Sequence, residues 1–360
     1  MSDKLAVLAL DDFINHLLSG KPIIDVRAAV EFKIGAIPGS INLPILNDEE
    51  RALIGTCYKQ QGQEKAIELG YSLVSGQNKE LKVASWIDYM RANPGAVITC
   101  FRGGQRSQIT QKFIREKGVE VPRLEKGYKQ IRQFFLDEIQ TFATTKKMIL
   151  LTGLTGSAKT KLLKKTETFY PTIDLEELAK HRGSAFGNLP QPQPAQADFE
   201  NLLAMNLLRL NHTKDERAYL FEDESRLIGR LHLPEALFEN LRSSPVILVN
   251  QSLQERIDHI FQDYVVEANI SAKLFESYEY SLEKIQKRLG GLKAGEIMND
   301  LRRSKADFLN HNELGSNKVW IEKLLIFYYD LLYTSSFKKR APQILFQGNH
   351  SEILDFLRTI

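Results

Sequence analysis

Ala96-Val97-Ile98-Thr99-Cys100-Phe101-Arg102-Gly103-Gly104-Gln105-Arg106-Ser107 passes from an apolar, strand-like run through a nucleophile and two glycines into a helix start. That order builds a cradle of backbone N–H groups aimed at whatever sits on the sulfur. Flanking arginines and a helix N-terminus favour thiolate over thiol, lowering a free-cysteine pKa of ~8.5 toward roughly 3.5–7.5. Cys100 is therefore expected to be an exposed covalent nucleophile, with Arg102, Gly103, Gly104, Gln105, Arg106 and Ser107 as its anion cradle. The plainer alternative, a buried structural cysteine at a strand end, leaves the Arg-Gly-Gly-Gln-Arg-Ser setting without a use. Five residues separate Cys100 from Arg106. A loop of that size has room for a tetrahedral oxyanion, which favours phosphate, thiophosphate or selenophosphate over thiosulfate.

Upstream, Pro22-Ile23-Ile24-Asp25-Val26-Arg27 reads as a short buried strand ending in charges, and Gly35-Ala36-Ile37-Pro38-Gly39-Ser40-Ile41-Asn42-Leu43-Pro44 returns as another. This order resembles the rhodanese domain, and the resemblance runs to about residue 135. It makes Cys100 a persulfide- or perselenide-forming nucleophile. Asp25 and Arg27 read as a structural pair at a strand end. The Cys-x5-Arg spacing is also similar to that of cysteine-dependent phosphatases.

Downstream, Thr144-Thr145-Lys146-Lys147 separates a helical stretch from a new apolar run, Met148-Ile149-Leu150-Leu151. That run feeds Gly153-Leu154-Thr155-Gly156-Ser157-Ala158-Lys159-Thr160, close to the phosphate-binding loop G-x-x-x-x-G-K-[ST]. Gly153, Thr155, Gly156, Ser157, Ala158, Lys159 and Thr160 are the candidate diphosphate-binding residues, with Thr160 suited to help hold a metal ion such as magnesium. Ala158 stands where the motif has glycine and restricts both φ and close backbone approach. Ala218-Tyr219-Leu220-Phe221 is a short strand delivering Glu222-Asp223-Glu224, of which Asp223 is the expected metal-side carboxylate, and Pro245-Val246-Ile247-Leu248-Val249 is a third buried strand. Strands alternating with helices such as the segment 253–264 indicate a parallel sheet covered by helices. Asp174, His181, Arg182, Ser184 and Arg226 are accessory candidates for phosphate or RNA; the competing reading of their segment is an ordered surface loop.

The rhodanese-like half, the phosphate loop, Asp174-Leu175-Glu176 with His181-Arg182-Gly183-Ser184-Ala185-Phe186-Gly187, and Glu222-Asp223-Glu224-Ser225-Arg226-Leu227-Ile228-Gly229 follow one another in a single chain. Together they resemble the tRNA 2-selenouridine synthase family. The resemblance implies modification of a wobble 2-thiouridine in the tRNA anticodon region. The sulfur is first S-geranylated from geranyl diphosphate, and selenium from selenophosphate then replaces the geranylthio group. It makes Cys100 the nucleophile of the selenium step and residues 153–160 the binder of the prenyl diphosphate. No tightly bound cofactor is expected. Two alternatives stay open: a cysteine-dependent phosphatase or sulfurtransferase with a regulatory P-loop domain, and an RNA-binding protein whose two sites are relics.

The chain is expected to be α/β. A rhodanese-like domain over 1–140 precedes a P-loop NTPase-like parallel-sheet domain over 145–360, whose C-terminal region is mostly helical. With 360 residues there is length for two cores, and a formal net charge of +3 announces no global field for RNA. Local clusters (Lys161, Lys164 and Lys165; Arg302, Arg303 and Lys305; Lys338-Lys339-Arg340) suit RNA phosphates or solvated helix faces. Two cysteines, Cys57 and Cys100, fit a reducing cytoplasm rather than a disulfide scaffold, with Cys57 read as a packing residue. Neither a signal peptide nor a membrane span is expected, and a cytoplasmic location follows. The segment 320–333 reads as a buried amphipathic helix, Gly290-Gly291 as a helix break, and Gln343-Ile344-Leu345-Phe346 as a last short strand.

Overall fold

An apolar run without polar alternation suits a strand covered on both faces, as in a parallel sheet. Ile23–Asp25, Val97–Thr99 and Met148–Gly153 are such runs, and all are buried in the computed structural model of the chain. The structure describes residues 5–183, 186, 191–213 and 215–360. These divide into two units, one of residues up to 139 with 194–209, the other of 140–193 with 210–360.

The first unit carries strands β1 (Val7–Leu8), β2 (Ile23–Asp25), β3 (Ser40–Asn42), β4 (Val97–Thr99) and β5 (Arg123–Leu124) in the order β1-β5-β4-β2-β3, every pairing parallel. Asp25 registers with Thr99 on one side and Asn42 on the other. The Asp-x-Arg turn and the Cys100 loop thus leave adjacent strands at the C-terminal edge, where open parallel sheets place their ligands. Ile24, Ile98, Trp86 and Phe113 fill the core on one face. The Asp25–Arg27 pair is structural, as expected. Both residues are fully buried, and Arg27 Nε donates to Asp25 Oδ1 and Oδ2 at 3.1 and 2.8 Å. Arg27 also donates to the Gly35 carbonyl at 2.8 Å and lies 4.0 Å from the Tyr128 ring centroid. Losing either partner would strand a buried charge, at a cost of about 3–5 kcal/mol.

One element departs from a continuous division at 140–145. Residues 196–209 of the helix Gln196–His212 pack into the first unit. Buried Asn201 donates to the Ala36 carbonyl at 2.8 Å, and Asp198 accepts the Ala36 N–H at 2.7 Å. Its apolar face suited either domain; the polar matches decide the partner.

The second unit carries β6 (Met148–Gly153), β7 (Thr172–Ile173), β8 (Tyr219–Glu222), the small hairpin β9 (Leu227–Ile228) and β10 (Leu231–His232), β11 (Val246–Val249) and β12 (Ile344–Gly348). Its main sheet, β12-β11-β6-β8-β7, is parallel throughout. The strands expected after Ala218, Pro245 and Gln343 are β8, β11 and edge strand β12. Leu151 registers with Glu222, so the carboxylate run emerges beside the phosphate loop.

C-terminal helices Ala272–Leu289, Gly291–His311 and Asn317–Leu324 build a separate apolar core around Phe275, Trp320 and Leu325, and the helix Asp330–Arg340 follows without a buried residue of its own. The break falls at Gly290-Gly291 as expected. The segments 253–264 and 320–333 were expected to be plain helices; π-helical turns at Gln262–Val266 and Leu325–Tyr329 interrupt them. Such turns re-aim side chains and gather at functional sites. Among the described residues, no helix is long and apolar enough to cross a membrane.

Candidate functional site

In the first unit, β4 delivers Cys100 to the floor of a 550 Å³ cavity lined also by Phe101, Arg102, Gly104, Gln105 and Arg106. The cysteine is less exposed than expected, at 3%. The sulfur's residue is buried yet lines that cavity. Cys100 Sγ lies 3.2 Å from Ser107 Oγ, which donates to the Gly104 carbonyl at 3.1 Å. Gly103 (φ +62°) and Gly127 (φ +64°) let two backbones meet. A Cβ on Gly103 would strike the Glu125 carbonyl, and one on Gly127 the Cys100 carbonyl. The helix Gly127–Thr145 then anchors the loop, the N–H groups of Tyr128 and Lys129 donating to the carbonyls of Cys100 and Phe101 at 2.8 and 2.9 Å. Gly127 and its helix start were not singled out from the sequence, where only a lone glycine marks them.

The two cradle arginines divide. Arg102 is exposed over the Phe101 ring at the rim. Arg106 is turned onto Glu31, with Nη1 and Nη2 donating at 2.5 and 3.1 Å. Burial opposes the Glu31 charge, yet Arg106's hydrogen bonds and charge hold its carboxyl below the usual range. Arg106 lines the cavity with its guanidinium already engaged by Glu31. Cys57 sits half-buried on the helix Asp48–Leu73 and does not line the cavity.

In the second unit, β6 runs into the phosphate loop and the helix Lys159–Thr166. Three side chains hold three successive loop carbonyls. Arg256 Nη1 donates to Thr155 O at 3.1 Å, and ring nitrogens of His259 and His350 lie 3.3 and 2.8 Å from Gly156 O and Ser157 O. Burial lowers the His350 pKa, so it works as a neutral donor. Arg256 is itself buried and held bidentately by Asp330 at 2.7 and 2.8 Å. Lys159 Nζ rests on the Gly153 carbonyl at 3.1 Å.

Ala158 adopts φ +53°, ψ +41°, the left-handed conformation that glycine serves in this motif. The loop thus keeps its shape at a cost of about 1–2 kcal/mol for the Cβ, while glycine would forfeit ~0.4–1 kcal/mol through the unfolded chain. The first term is larger, so Ala158→Gly is expected to stabilise the protein by about 0.5–1 kcal/mol, read as a higher denaturation midpoint. A lower midpoint would refute the strain.

Facing the loop is a cluster of carboxylates, two of which flank Asp223 in the sequence. Ligand oxygens of Glu176, Glu222 and Glu224 lie within 4.8 Å of one another, and Thr160 Oγ1 donates to Glu176 at 3.0 Å. Both carboxylate oxygens of fully buried Glu222 lack a hydrogen-bond partner among the described residues. Burial and the neighbouring carboxylates push the Glu222 pKa well up, and burial with Glu176 raises Glu224 to about 8. Oxygen-only, acidic and unsatisfied, this donor set fits a hard divalent cation. A carboxylate whose folded pKa is raised destabilises the fold progressively as pH climbs above its unfolded value of ~4.3. In chelator, Glu222→Gln is therefore expected to raise Tm by several degrees at pH 8 and hardly at all at pH 4. An unchanged Tm at pH 8 would contradict the burial argument.

Asp223, the expected metal-side group, lines a cavity above the phosphate loop with Glu222 and Glu224 but lies outside their cluster. It accepts Thr152 Oγ1 at 2.5 Å and takes Arg340 Nη1 and Nη2 at 2.6 Å each. Arg340, read with Lys338 and Lys339 as a basic cluster, is thereby turned inward, its side chain only 6% exposed. Lys161 pairs with Asp263 at 2.6 Å, and Lys305 lies 3.6 Å from Glu279. Asp174 caps the helix Leu175–Ala179 through the Glu177 N–H; burial and nearby Glu176 and Glu177 raise its pKa to about 6. His181 lines the same cavity above the phosphate loop but is buried and shifted toward neutrality. Arg182 stacks 4.8 Å from the Tyr264 ring centroid and also lines it. Arg226 is exposed and paired with Glu235, away from the cavity lining. Ser184 lies outside the described residues.

The cavity above the phosphate loop measures 1290 Å³. One end is the loop with the acidic cluster; the other is a wall of Trp320, Ile321, Leu324, Leu325, Tyr328 and Leu332 from the C-terminal helices. The second π-helical turn supplies Leu325 and Tyr328 to that wall.

A buried-nucleophile rhodanese fold followed in the same chain by a P-loop fold with an acidic centre defines a two-domain enzyme class. The rhodanese-like domain family matches residues 9–133, and the tRNA 2-selenouridine synthase AAA domain family matches 146–360. Proteins named tRNA 2-selenouridine synthase from Nitrosomonas europaea and Bdellovibrio bacteriovorus are 43% and 45% identical, covering 98% and 97% of this chain and 98% of each of theirs. One from Nitrosomonas eutropha is 45% identical over 94% of both chains. The chain belongs to the tRNA 2-selenouridine synthase family, a family of tRNA-modifying enzymes.

Proposed function

We propose that this protein converts the wobble 2-thiouridine of tRNA to 2-selenouridine in two steps, one in each unit. In the first, the 2-thio sulfur attacks C1 of geranyl diphosphate. The S–C1 bond forms, the C1–O bond breaks, the diphosphate leaves with the bonding pair, and the base loses its N3 proton. Residues 153–160 bind the leaving diphosphate, with Lys159 moving from the Gly153 carbonyl onto it. The observation that carries this reading is one cavity joining a phosphate loop to a long apolar wall. A diphosphate with a hydrocarbon tail meets both ends; a nucleotide leaves the wall uncovered. Glu176, Glu222 and Glu224 with Thr160 are the residues that would hold Mg²⁺, which supplies charge neutralisation beside the diphosphate. Lys164, Lys180, Arg242 and Arg288 around the cavity are suited to tRNA phosphates. With tRNA as substrate, the place of action is the cytoplasm.

In the second step selenium attacks C2 of the S-geranyl base. The C2–Se bond forms, the C2–S bond breaks, and geranylthiol leaves after taking a proton. With selenophosphate as donor, water then cleaves the P–Se bond to give phosphate, so the step is redox-neutral. A Cys100 perselenide drawn from selenophosphate would instead release phosphite, attack C2 to leave a C2–Se–S–Cys100 bond, and need a thiol reductant to free 2-selenouridine, so the phosphorus product separates that route from direct attack by selenophosphate.

The test is mass spectrometry of nucleosides from 2-thiouridine tRNA incubated with the protein. Geranyl diphosphate alone should give S-geranyl-2-thiouridine, and added selenophosphate should give 2-selenouridine. Unchanged 2-thiouridine, with tRNA binding verified, would overturn the reading.

A further inference from the structure

The cavity at Cys100 is larger and more apolar than selenium delivery needs. It measures 550 Å³, whereas a small tetrahedral anion displaces only a few waters of about 30 Å³ each. Opposite the loop bearing Arg102 and Gln105, its wall includes Ile45, Leu46, Ile54, Ala66, Val74 and Phe113. Such a wall offers an anion or a base edge nothing to bond; what it binds is hydrocarbon.

Much of that wall comes from the helix Asp48–Leu73, which buries only Ala66 fully and kinks at Gly62 (φ +89°). Ile54 and Tyr58 before the kink, and Ala66, Ile67, Gly70 and Tyr71 after it, all line the cavity. Spacings of three and four put each set on one helical face. Tyr58 and Tyr71 nonetheless stay 56% and 41% exposed. The helix holds an apolar stripe toward Cys100 and leaves part of it uncovered.

We infer that this cavity is a hydrocarbon subsite for the selenium step. It takes the alkyl chain carried on the sulfur being displaced and so lays C2 of the alkylthio base against Cys100. This rests on the reading above that an S-alkylated uridine is the intermediate. The cationic rim then meets the RNA backbone while the chain occupies the apolar wall. The displaced alkyl thiol starts from the same pocket, so added geranylthiol competes with alkylated tRNA.

The test uses the full-length protein, selenophosphate and tRNA carrying chemically S-methylated, S-dimethylallylated or S-geranylated 2-thiouridine. The wild type is expected to raise kcat/KM with chain length, on the order of fourfold per buried methylene. Ala66→Trp, which fills the cavity, and Ile54→Asn, on its half-exposed wall, are each expected to cut the geranyl-to-methyl ratio at least tenfold. A wild-type series that is flat in chain length overturns the subsite without needing either variant. So does a ratio unmoved in variants that fold. Selenation of none of the three by the wild type overturns the two-step reading itself, and the subsite with it.

Discussion

Cys100→Ser protein is expected to convert 2-thiouridine tRNA to its S-geranyl form at a near wild-type rate and to incorporate no detectable selenium. The substitution is nearly isosteric at a residue that is 3% exposed, so the loop held by Tyr128 and Lys129 keeps its shape. What is lost is the sulfur nucleophile, since a serine hydroxyl is a far weaker nucleophile than a cysteine sulfur. No residue lining the cavity over the phosphate loop belongs to the Cys100 loop, so the alkylating step has no use for the sulfur. The readout is the nucleoside profile over time. Equal loss of both products would refute the assignment of one chemistry to each unit.

Lys159→Ala is expected to produce the mirror image, with geranyl transfer slowed by roughly 10²–10³, the usual effect of losing one donor to developing charge. Lys159 is the loop's own cation, and the neighbouring groups are acidic: Glu176, Glu222 and Glu224 gather on the same side. Without the lysine, the leaving diphosphate would face these carboxylates with the loop's backbone donors and the lysines and arginines elsewhere in the cavity lining to offset them. The rate of S-geranyl-2-thiouridine formation at saturating geranyl diphosphate measures this. Transfer within threefold of wild type would show that the loop binds something else.

Much of this was legible because both sites hang on local signals. Cys100 and the phosphate loop each follow an apolar strand and precede a helix, and contiguous sequence displays that order. The partners that tune them arrive from far along the chain. Glu31 takes Arg106, Asp330 holds Arg256, and Arg340 takes Asp223. No spacing rule links these pairs. Glu176 meets Glu222 and Glu224 rather than Asp223, a grouping that the position of the carboxylate run at the end of β8 does not reveal. The helix Gln196–His212 shows the same limit, because the matches that tie residues 196–209 to the first unit, Asn201 and Asp198 to Ala36 and Glu200 to Arg132, are all distant in sequence. The apolar wall of the larger cavity was likewise hidden in a C-terminal region readable as helical but not as lining.

The division of labour is tested most directly by giving Lys159→Ala protein a tRNA already S-geranylated by chemistry, with selenophosphate, and measuring 2-selenouridine. The account requires formation at the wild-type rate, because the defect lies upstream and is bypassed. Failure to form 2-selenouridine from the supplied intermediate, in a variant that folds and binds tRNA, would contradict it.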